Sequence, residues 1–377
     1  MSFDTRLAPI TYFFFAALDC ACASEEAQSK EDIKKNGIFY YVLSEQERVF
    51  YAMVRNSEGL KDVMELVDTE QLHLEMTCLA EACLRFSLEQ TRAELRLKRL
   101  PFVIIGLGKF GGKELGYGAD LDVLFIGGKG DADQTQASKL ASRVIDFMSR
   151  QTSAGKLFEV DARLRPDGEQ GSLASSLEAH RGYYAQRAQL WERQALTKAR
   201  VVAGDTEYGA KFMKMVHDII YTAPLTAEGA RELRQMRQRI ETERGDQQHV
   251  ELEFKTGPGG LIDVEFLIQS LQLQHGGAHP QIRTAHTLAA LNRLAALGII
   301  EEGHASQLRQ HYLFLRRIES VLRRVENLSV SRLPADEVEQ SRLSKRLGFA
   351  SREELLATYR HTTRRVRVLY EQLRPGA

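Results

Sequence analysis

Two aspartates separated by a single residue stand at the start of an apolar run in the first half of the chain. Asp120 and Asp122 open the segment 120–126, which follows a glycine-rich stretch. Because the side chains of a strand alternate between its two faces, both carboxylates are expected on one face. Carboxylates held close together repel each other unless a cation lies between them. Mg²⁺ fits this pattern, since it prefers hard oxygen ligands and takes further ligands from substrate phosphates.

The glycine-rich turn before these aspartates has two possible interpretations. The segment Gly106–Gly111 satisfies G-x-G-x-x-G, the pattern of dinucleotide-binding turns. In those folds an acidic residue ends a second strand about 20 residues on, whereas here the acids precede the apolar run. No Gly-Lys-Ser/Thr follows, so a P-loop is also excluded. The turn is instead expected to bind nucleotide phosphates through Gly106, Gly108 and Lys109, with a solvated lysine as the alternative for Lys109.

A third acidic residue lies in the alternating segment 158–165, FEVDARLR. Its period of two predicts a strand with Asp161, Arg163 and Arg165 on the face opposite the core. If this strand lies beside the one that carries the aspartate pair, Asp161 joins the metal site and the two guanidinium groups can bind phosphate. A simple ion pair between Asp161 and Arg163 is the alternative. Three carboxylates and two forked donors are typical of phosphoryl or nucleotidyl transfer.

Four motifs follow one another over about residues 100–270: GLGKFGGKELGYGADLDVLF, FEVDARLRPDGEQGSL, WERQALTKARVVAGD and GGLIDVEFLIQ. Together they resemble one catalytic half of the bacterial glutamine synthetase adenylyltransferase/adenylyl-removing enzymes, a family of polymerase β-like nucleotidyltransferases. The resemblance implies an α+β fold, Mg²⁺ as cofactor, ATP as substrate and glutamine synthetase as the protein substrate. A PII-type signalling protein is a further candidate partner.

Family enzymes carry two such halves: one transfers AMP to a tyrosine of glutamine synthetase and the other removes it by phosphorolysis. This chain has one copy, and its motifs are more similar to the AMP-transferring, C-terminal half. We therefore expect Asp120, Asp122 and Asp161 to hold the metal ions, with Asp161 also helping to deprotonate the tyrosine hydroxyl. The adenylyl-removing half, a non-catalytic module that binds glutamine synthetase, and a small-molecule nucleotidyltransferase are the alternatives.

One residue departs from the family pattern. The family usually has a serine immediately before the first metal aspartate, and this chain has Ala119 there. A neutral hydrogen bond is worth roughly 1 kcal/mol. Its loss is expected to weaken nucleotide binding and to leave the metal site in place.

Composition limits the class of protein. The 51 Lys and Arg residues balance 51 Asp and Glu residues, so no overall charge favours nucleic acid as a partner. The apolar run 10–18 is too short to span a membrane. Four cysteines in no metal-binding pattern are expected to be free thiols in a reducing cytoplasm. Neither nucleic acid nor membrane is therefore expected as a partner.

The chain is predicted to have three regions: N-terminal helices (1–98), a nucleotidyltransferase sheet domain (99–205) and a C-terminal helical bundle (206–377). Helices are predicted over 45–54, 60–66, 69–98, 134–151, 181–200, 207–221, 226–244, 260–275, 285–297, 303–327, 336–347 and 351–373. Short loops between the later helices indicate antiparallel neighbours in a bundle.

A few polar and aromatic residues outside the motif strands have more ordinary interpretations. Trp191 is interpreted as a core residue, and the arginines of 231–244 as a solvated helix face. Asp263 is explained by the dipole at a helix start. Glu265 and Gln269 share one helix face and are interpreted as packing or nucleotide-edge contacts.

Overall fold

The computed structural model describes residues 62, 67–97, 99–151, 157–244, 249–326 and 330–376. The elements of its first half are α1 Thr69–Glu94, β1 Phe102–Gly106, α2 Gly108–Gly111, β2 Leu121–Gly127, α3 Asp131–Ser149, β3 Val160–Asp161, β4 Ala174–Ser175, α4 Leu177–Gln186, α5 Leu190–Ala195 and β5 Arg200–Gly204. The later helices are α6 Thr206–Tyr221, α7 Ala227–Arg244, α8 Leu261–His275, α9 Thr287–Ala296, α10 Glu302–Glu326, α11 Glu337–Arg346 and α12 Arg352–Leu373.

Several predictions fall on the part of the chain that is not described. The apolar run 10–18 and the helix predicted over 45–54 lie outside the described residues. The helix predicted over 60–66 does so too, apart from residue 62.

The strands form one mixed sheet in the order β3-β2-β1-β5, with β4 also paired to β2. β1 lies in the middle, antiparallel to both β2 and β5. All five residues of β1 are buried, as its unbroken apolar sequence predicts. The two short strands β3 and β4 run parallel to β2. The α+β fold expected from the sequence is therefore confirmed.

Helices cover both faces of this sheet. On one face, Ile104 and Phe125 pack with Leu84 of α1 and Val144 of α3 in a common apolar core. On the other face, the next residues along the same strands pack against α4 and α6. Because side chains alternate along β1 and β2, these strands contribute to two apolar cores, one on each face of the sheet.

The last five helices enclose a core of their own, which contains Leu267 of α8, Leu315 of α10 and Leu369 of α12. α10 also contacts α1, since Oγ of Ser320 lies 3.1 Å from Nε2 of His73. Side-chain caps fix several helix starts, as where Asp205 accepts from the Tyr208 N–H at 2.9 Å.

Two predictions of secondary structure were wrong. The strand predicted over 158–165 is reduced to Val160–Asp161, because the Asp161 carboxylate accepts the Arg163 N–H at 2.9 Å and turns the chain. The single helix predicted over 181–200 is instead α4, α5 and a 3₁₀ turn, and strand β5 begins at its last residue. Gln189 and Glu192 form a capping box that starts α5 afresh.

Three interpretations of single residues also need correction. Trp191 is half-buried, and its indole N–H donates to Gln189 at 2.8 Å. Arg237 of the arginine-rich helix is only 1% exposed. It donates to the fully buried Asp263 at 2.6 Å, so a buried ion pair explains Asp263 more fully than a helix dipole does.

The cysteines and helices bear on two further predictions. Cys83 is a free thiol, and burial raises its pKa to about 12. Cys78 is disulfide-bonded, so the prediction of free thiols was wrong for that residue. Within the described residues, no helix combines the length and the apolar character needed to cross a membrane.

Candidate active site

Strand pairing brings two of the three predicted acidic residues side by side. β2 and β3 run parallel with Asp122 opposite Asp161, and the Leu121 N–H donates to the Glu159 carbonyl at 2.9 Å. Leu121 is fully buried, whereas Asp122 is half-buried and Asp120, one residue before β2, is exposed. The pairing of these two strands, expected from the sequence, is therefore observed.

The carboxylates influence one another strongly. Burial, the largest cause, and the negative charges of Asp161 and Asp120 together raise the pKa of Asp122 to about 6. A cation bound among these oxygens would relieve that repulsion. The chemistry of the donor set therefore fits a divalent metal such as Mg²⁺.

Asp161 is engaged by a neighbour in this structure. Its Oδ1 accepts from Nε of Arg163 at 3.0 Å, and its Oδ2 accepts from Nε and Nη2 at 2.9 and 2.5 Å. These bonds hold the pKa of Asp161 below its ordinary value. In the described part of the chain, no group of three or more His, Cys, Asp or Glu side chains is arranged to hold a metal ion. Metal binding by Asp161 would thus require its release from Arg163.

The glycine turn lies directly against Asp122. The Leu107 N–H donates to the Asp122 carbonyl at 2.8 Å. Gly108 has a φ of +52°, and a Cβ placed on it would lie 2.2 Å from Oδ2 of Asp122. At Gly106 a Cβ would lie 2.9 Å from the Val202 side chain. Gly108 must therefore be glycine both for its left-handed backbone and for its approach to the carboxylate.

Lys109 is paired with a residue of the helical bundle. Its ammonium donates to both oxygens of Glu319 on α10, at 3.1 and 2.9 Å. Burial and the nearby Arg316 lower the pKa of Lys109 to about 8, although Glu319 opposes this effect. Glu319 is 4% exposed and also accepts from Arg316 and Arg323, at 2.5 and 3.1 Å. The lysine is thus neither solvated nor free.

Glu319 was missed by reasoning from the sequence. Its spacing from Arg316 and Arg323, three and four residues, does indicate ion pairs along one helix face. Its contact with Lys109, 210 residues away, cannot be predicted from any local sequence pattern.

The two arginines after β3 differ in their surroundings. The side chain of Arg163 is 68% exposed. Arg165 donates to the backbone carbonyls of Ala162, Glu169 and Gly171, at 2.8, 3.1 and 3.2 Å. Arg165 therefore orders the loop that follows β3. In this arrangement its guanidinium donates to backbone carbonyls.

The start of α8 lies next to the same site. Glu265 accepts from the Tyr312 hydroxyl at 3.2 Å, and Gln269 accepts from the Gln194 amide at 2.8 Å. The positive charge of Lys255, in the loop before α8, lowers the pKa of Asp122. Lys255 was not predicted as a site residue, although it lies just before the GGLIDVEFLIQ motif.

A second buried ion pair, between Lys198 and Glu114, lies where the sheet region meets the bundle. Lys198 donates to Glu114 at 2.8 Å and to the Thr287 hydroxyl of α9 at 2.6 Å. Burial alone would raise the pKa of Glu114, but Lys198, His286 and Arg316 together outweigh it and hold that pKa at about 2. The glycine turn and the segment that follows it are therefore anchored to the bundle, at Lys109 and at Glu114.

In this α+β fold, Asp122 and Asp161 meet beside a glycine turn at the start of β2, an arrangement that suits a nucleotidyltransferase. Residues 39–215 match the family model described as glutamate-ammonia ligase adenylyltransferase. Residues 228–374 match the model described as GlnD PII-uridylyltransferase. The chain belongs to the glutamine synthetase adenylyltransferase family, as its motifs predicted.

Relatives in three bacteria illustrate the similarity; each is named a bifunctional glutamine synthetase adenylyltransferase/adenylyl-removing enzyme. The chain is 35% identical to that of Streptomyces coelicolor over 338 residues, covering 86% of this chain and 34% of the relative. It is 36% identical to that of Streptomyces avermitilis, with 80% and 31% covered. For Stenotrophomonas maltophilia K279a the identity is 34%, with 81% and 35% covered. The chain thus spans about a third of the length of these relatives.

Proposed function

We propose that this chain transfers AMP from ATP to a tyrosine hydroxyl of glutamine synthetase, in a Mg²⁺-dependent reaction in the cytoplasm. Residues 99–205 are the proposed catalytic domain. The observation that carries the proposal is the pairing of Asp122 with Asp161 beside Gly108. The names of the relatives support the choice of substrates.

Each proposed role follows from the surroundings of the residue. Asp120, Asp122 and Asp161 would hold Mg²⁺, which neutralises phosphate charge and lowers the pKa of an attacking hydroxyl. An unperturbed tyrosine has a pKa of about 10, so its hydroxyl has to be activated to react near neutral pH. Asp161 would receive the proton of that hydroxyl. Gly106 and Gly108 let backbone amides approach the phosphates.

The basic residues complete the proposed site. Arg163, which is largely exposed, would bind the phosphates once released from Asp161. Lys109 would supply positive charge from the glycine turn. Arg165, also expected to bind phosphate, contributes by ordering the loop that carries Arg163.

Transfer of label from [α-³²P]ATP to purified glutamine synthetase tests the proposal directly. The wild-type chain with Mg²⁺ is expected to label the protein, and the Asp122→Asn variant is expected to fall to background. Asp146→Asn is the matched control, since Asp146 is an exposed acid on α3. Labelling by Asp122→Asn at the wild-type rate would exclude the proposed site.

The adenylyl-removing reaction is the second candidate, because the relatives are named for both activities and the chain spans only about a third of them. It uses the same carboxylates, but inorganic phosphate attacks AMP-tyrosine and ADP leaves. Release of label from pre-adenylylated glutamine synthetase, dependent on phosphate, would identify it. A chain that binds Mg·ATP and glutamine synthetase but catalyses neither reaction would be a regulatory module.

A PII-type signalling protein is proposed as a partner of the helical region. The support is the match of residues 228–374 to a PII-uridylyltransferase model. Titration of the chain with a purified PII-type protein, followed by calorimetry, tests this. Absence of binding with and without ATP would reject that partner.

A further inference from the structure

The loop that leads into α8 holds Lys255 in a fixed place. The Lys255 N–H donates to the Ser331 carbonyl at 3.2 Å, and its own carbonyl accepts from the Ile262 N–H at 3.1 Å. A Cβ on Gly260 would lie 2.7 Å from the Phe254 carbonyl and 2.9 Å from that of Lys255. The backbone here folds too tightly for a larger residue at Gly260, so the position from which Lys255 projects is well defined.

The ammonium of Lys255 lies among groups from three different elements. Its charge lowers the pKa of Asp122 on β2, of Lys109 on α2 and of Glu319 on α10. Lys255 is half-buried. Geometry agrees with this placement: the Tyr312 hydroxyl lies 3.2 Å from Glu265 on α8 and 3.4 Å from Glu114, just after the glycine turn. The loop that carries Lys255 is therefore close to the glycine turn and the carboxylates.

Five other cations around the site already have acidic partners, and Arg165 donates to backbone carbonyls. Lys109, Arg316 and Arg323 share Glu319. Arg163 is bound to Asp161 and Lys198 to Glu114.

Lys255 differs from these. Among the described residues, its ammonium forms no hydrogen bond or ion pair. The nearby Glu265 carboxylate accepts from Tyr312. A partly desolvated cation without a partner is costly, and an anion bound at this position would remove that cost.

We propose that Lys255 binds the terminal phosphates of the nucleotide, the part that leaves as pyrophosphate. This inference rests on the proposed nucleotidyl transfer. A metal held by the carboxylates takes ligands from substrate phosphates, so the polyphosphate lies between those carboxylates and the unpaired lysine. Glu319 acts as a positioning residue that holds Lys109 on the same side.

Inorganic tripolyphosphate and AMP, each titrated with Mg²⁺ into the full chain by calorimetry, test the assignment. In Lys255→Met, tripolyphosphate and ATP are expected to bind roughly 10- to 100-fold more weakly, the effect of losing one hydrogen bond to a charged group. AMP binding is expected to stay unchanged. Lys255→Arg, which keeps the charge, is expected to recover most of the loss.

Lys139→Met is the matched control, because Lys139 is an exposed lysine on α3. It is expected to bind both probes like the wild type. Wild-type tripolyphosphate binding by Lys255→Met would overturn the inference, as would an equal loss of AMP and tripolyphosphate, which indicates a distorted site.

Binding and label transfer are read separately, so the two proposals fail in different ways. If the wild type binds tripolyphosphate through Lys255 but labels no protein and releases no label, the transfer reaction is wrong and the phosphate site stands. If the wild type binds neither ATP nor tripolyphosphate, both proposals are wrong.

Discussion

Gly108 and Asp122 occupy adjoining space at the end of the sheet: a Cβ on the glycine would come within 2.2 Å of the carboxylate Oδ2. The glycine also has a left-handed backbone, with a φ of +52°. The position of the glycine turn and the position of the strand that carries Asp122 therefore depend on each other.

The Gly108→Ala variant tests this relationship. The added methyl group is expected to displace the Asp122 carboxylate and abolish Mg·ATP binding, and the left-handed backbone should cost about 1–2 kcal/mol of stability. Urea unfolding and calorimetric titration measure the two effects. Gly182→Ala on α4 is the control, since a Cβ there meets nothing within 4 Å. Unchanged Mg·ATP binding in Gly108→Ala would contradict the proposed geometry.

The pH dependence of stability follows from the raised pKa of Asp122. Its ordinary value of 3.8 rises to about 6 in the folded chain, so folding favours the protonated form. The resulting destabilisation is absent below about pH 4 and is complete once the pH has risen through about 6. Two pKa units correspond to about 3 kcal/mol, an upper value for a half-buried group.

Asp122→Asn is therefore expected to be more stable than the wild type at pH 8 and about equally stable at pH 4. Thermal unfolding in the absence of Mg²⁺ gives the comparison. Addition of Mg²⁺ should raise the wild-type midpoint and leave that of the variant in place. A variant less stable than the wild type at pH 8 would show that the carboxylate is not under repulsion.

Arg163→Met separates the two possible uses of this arginine. Its ion pair with Asp161 is exposed, and such pairs contribute only about 0–1 kcal/mol. The thermal midpoint should hardly change. If Arg163 binds phosphate during the reaction, KM for ATP should rise while the midpoint stays constant. If KM for ATP does not change, Arg163 does not bind phosphate and its role is limited to the ion pair with Asp161.

Arg237→Met tests the buried ion pair of the bundle. The substitution removes the nearer of two arginines from the fully buried Asp263, since Arg237 lies at 2.6 Å and Arg367 at 3.2 Å. Removing one member of a buried pair costs about 3–5 kcal/mol, which urea unfolding can resolve. Arg239→Met, an exposed position on the same helix, is expected to change stability by less than about 0.5 kcal/mol. Equal effects at the two positions would argue against a structural role for Arg237.

Local patterns predicted those features that depend on neighbours in sequence. The alternation around Leu121 and Asp122 correctly separated buried from polar side chains. The predicted helices 207–221 and 351–373 match Thr206–Tyr221 and Arg352–Leu373, whose starts carry side-chain caps.

Features that depend on tertiary contacts were not predicted. β5 was not predicted: only its first residue, Arg200, fell within a predicted helix. Its short apolar run fits either period, and pairing with the free edge of β1 decides that it is a strand. β3 proved short because Asp161 bonds to the following backbone. Glu319 and Lys255 reach the site only when the bundle packs on the glycine turn.

The ion pair between Lys109 and Glu319 crosses from the glycine turn to α10, and this has a consequence for engineered exchanges between relatives. A chimera that joined the sheet of this chain to the helices of another family member would leave Lys109 facing whatever residue that protein has in place of Glu319. Unless that residue is acidic, a buried ammonium loses its counter-charge. Successful recombination within the family therefore has to keep an acidic residue opposite Lys109.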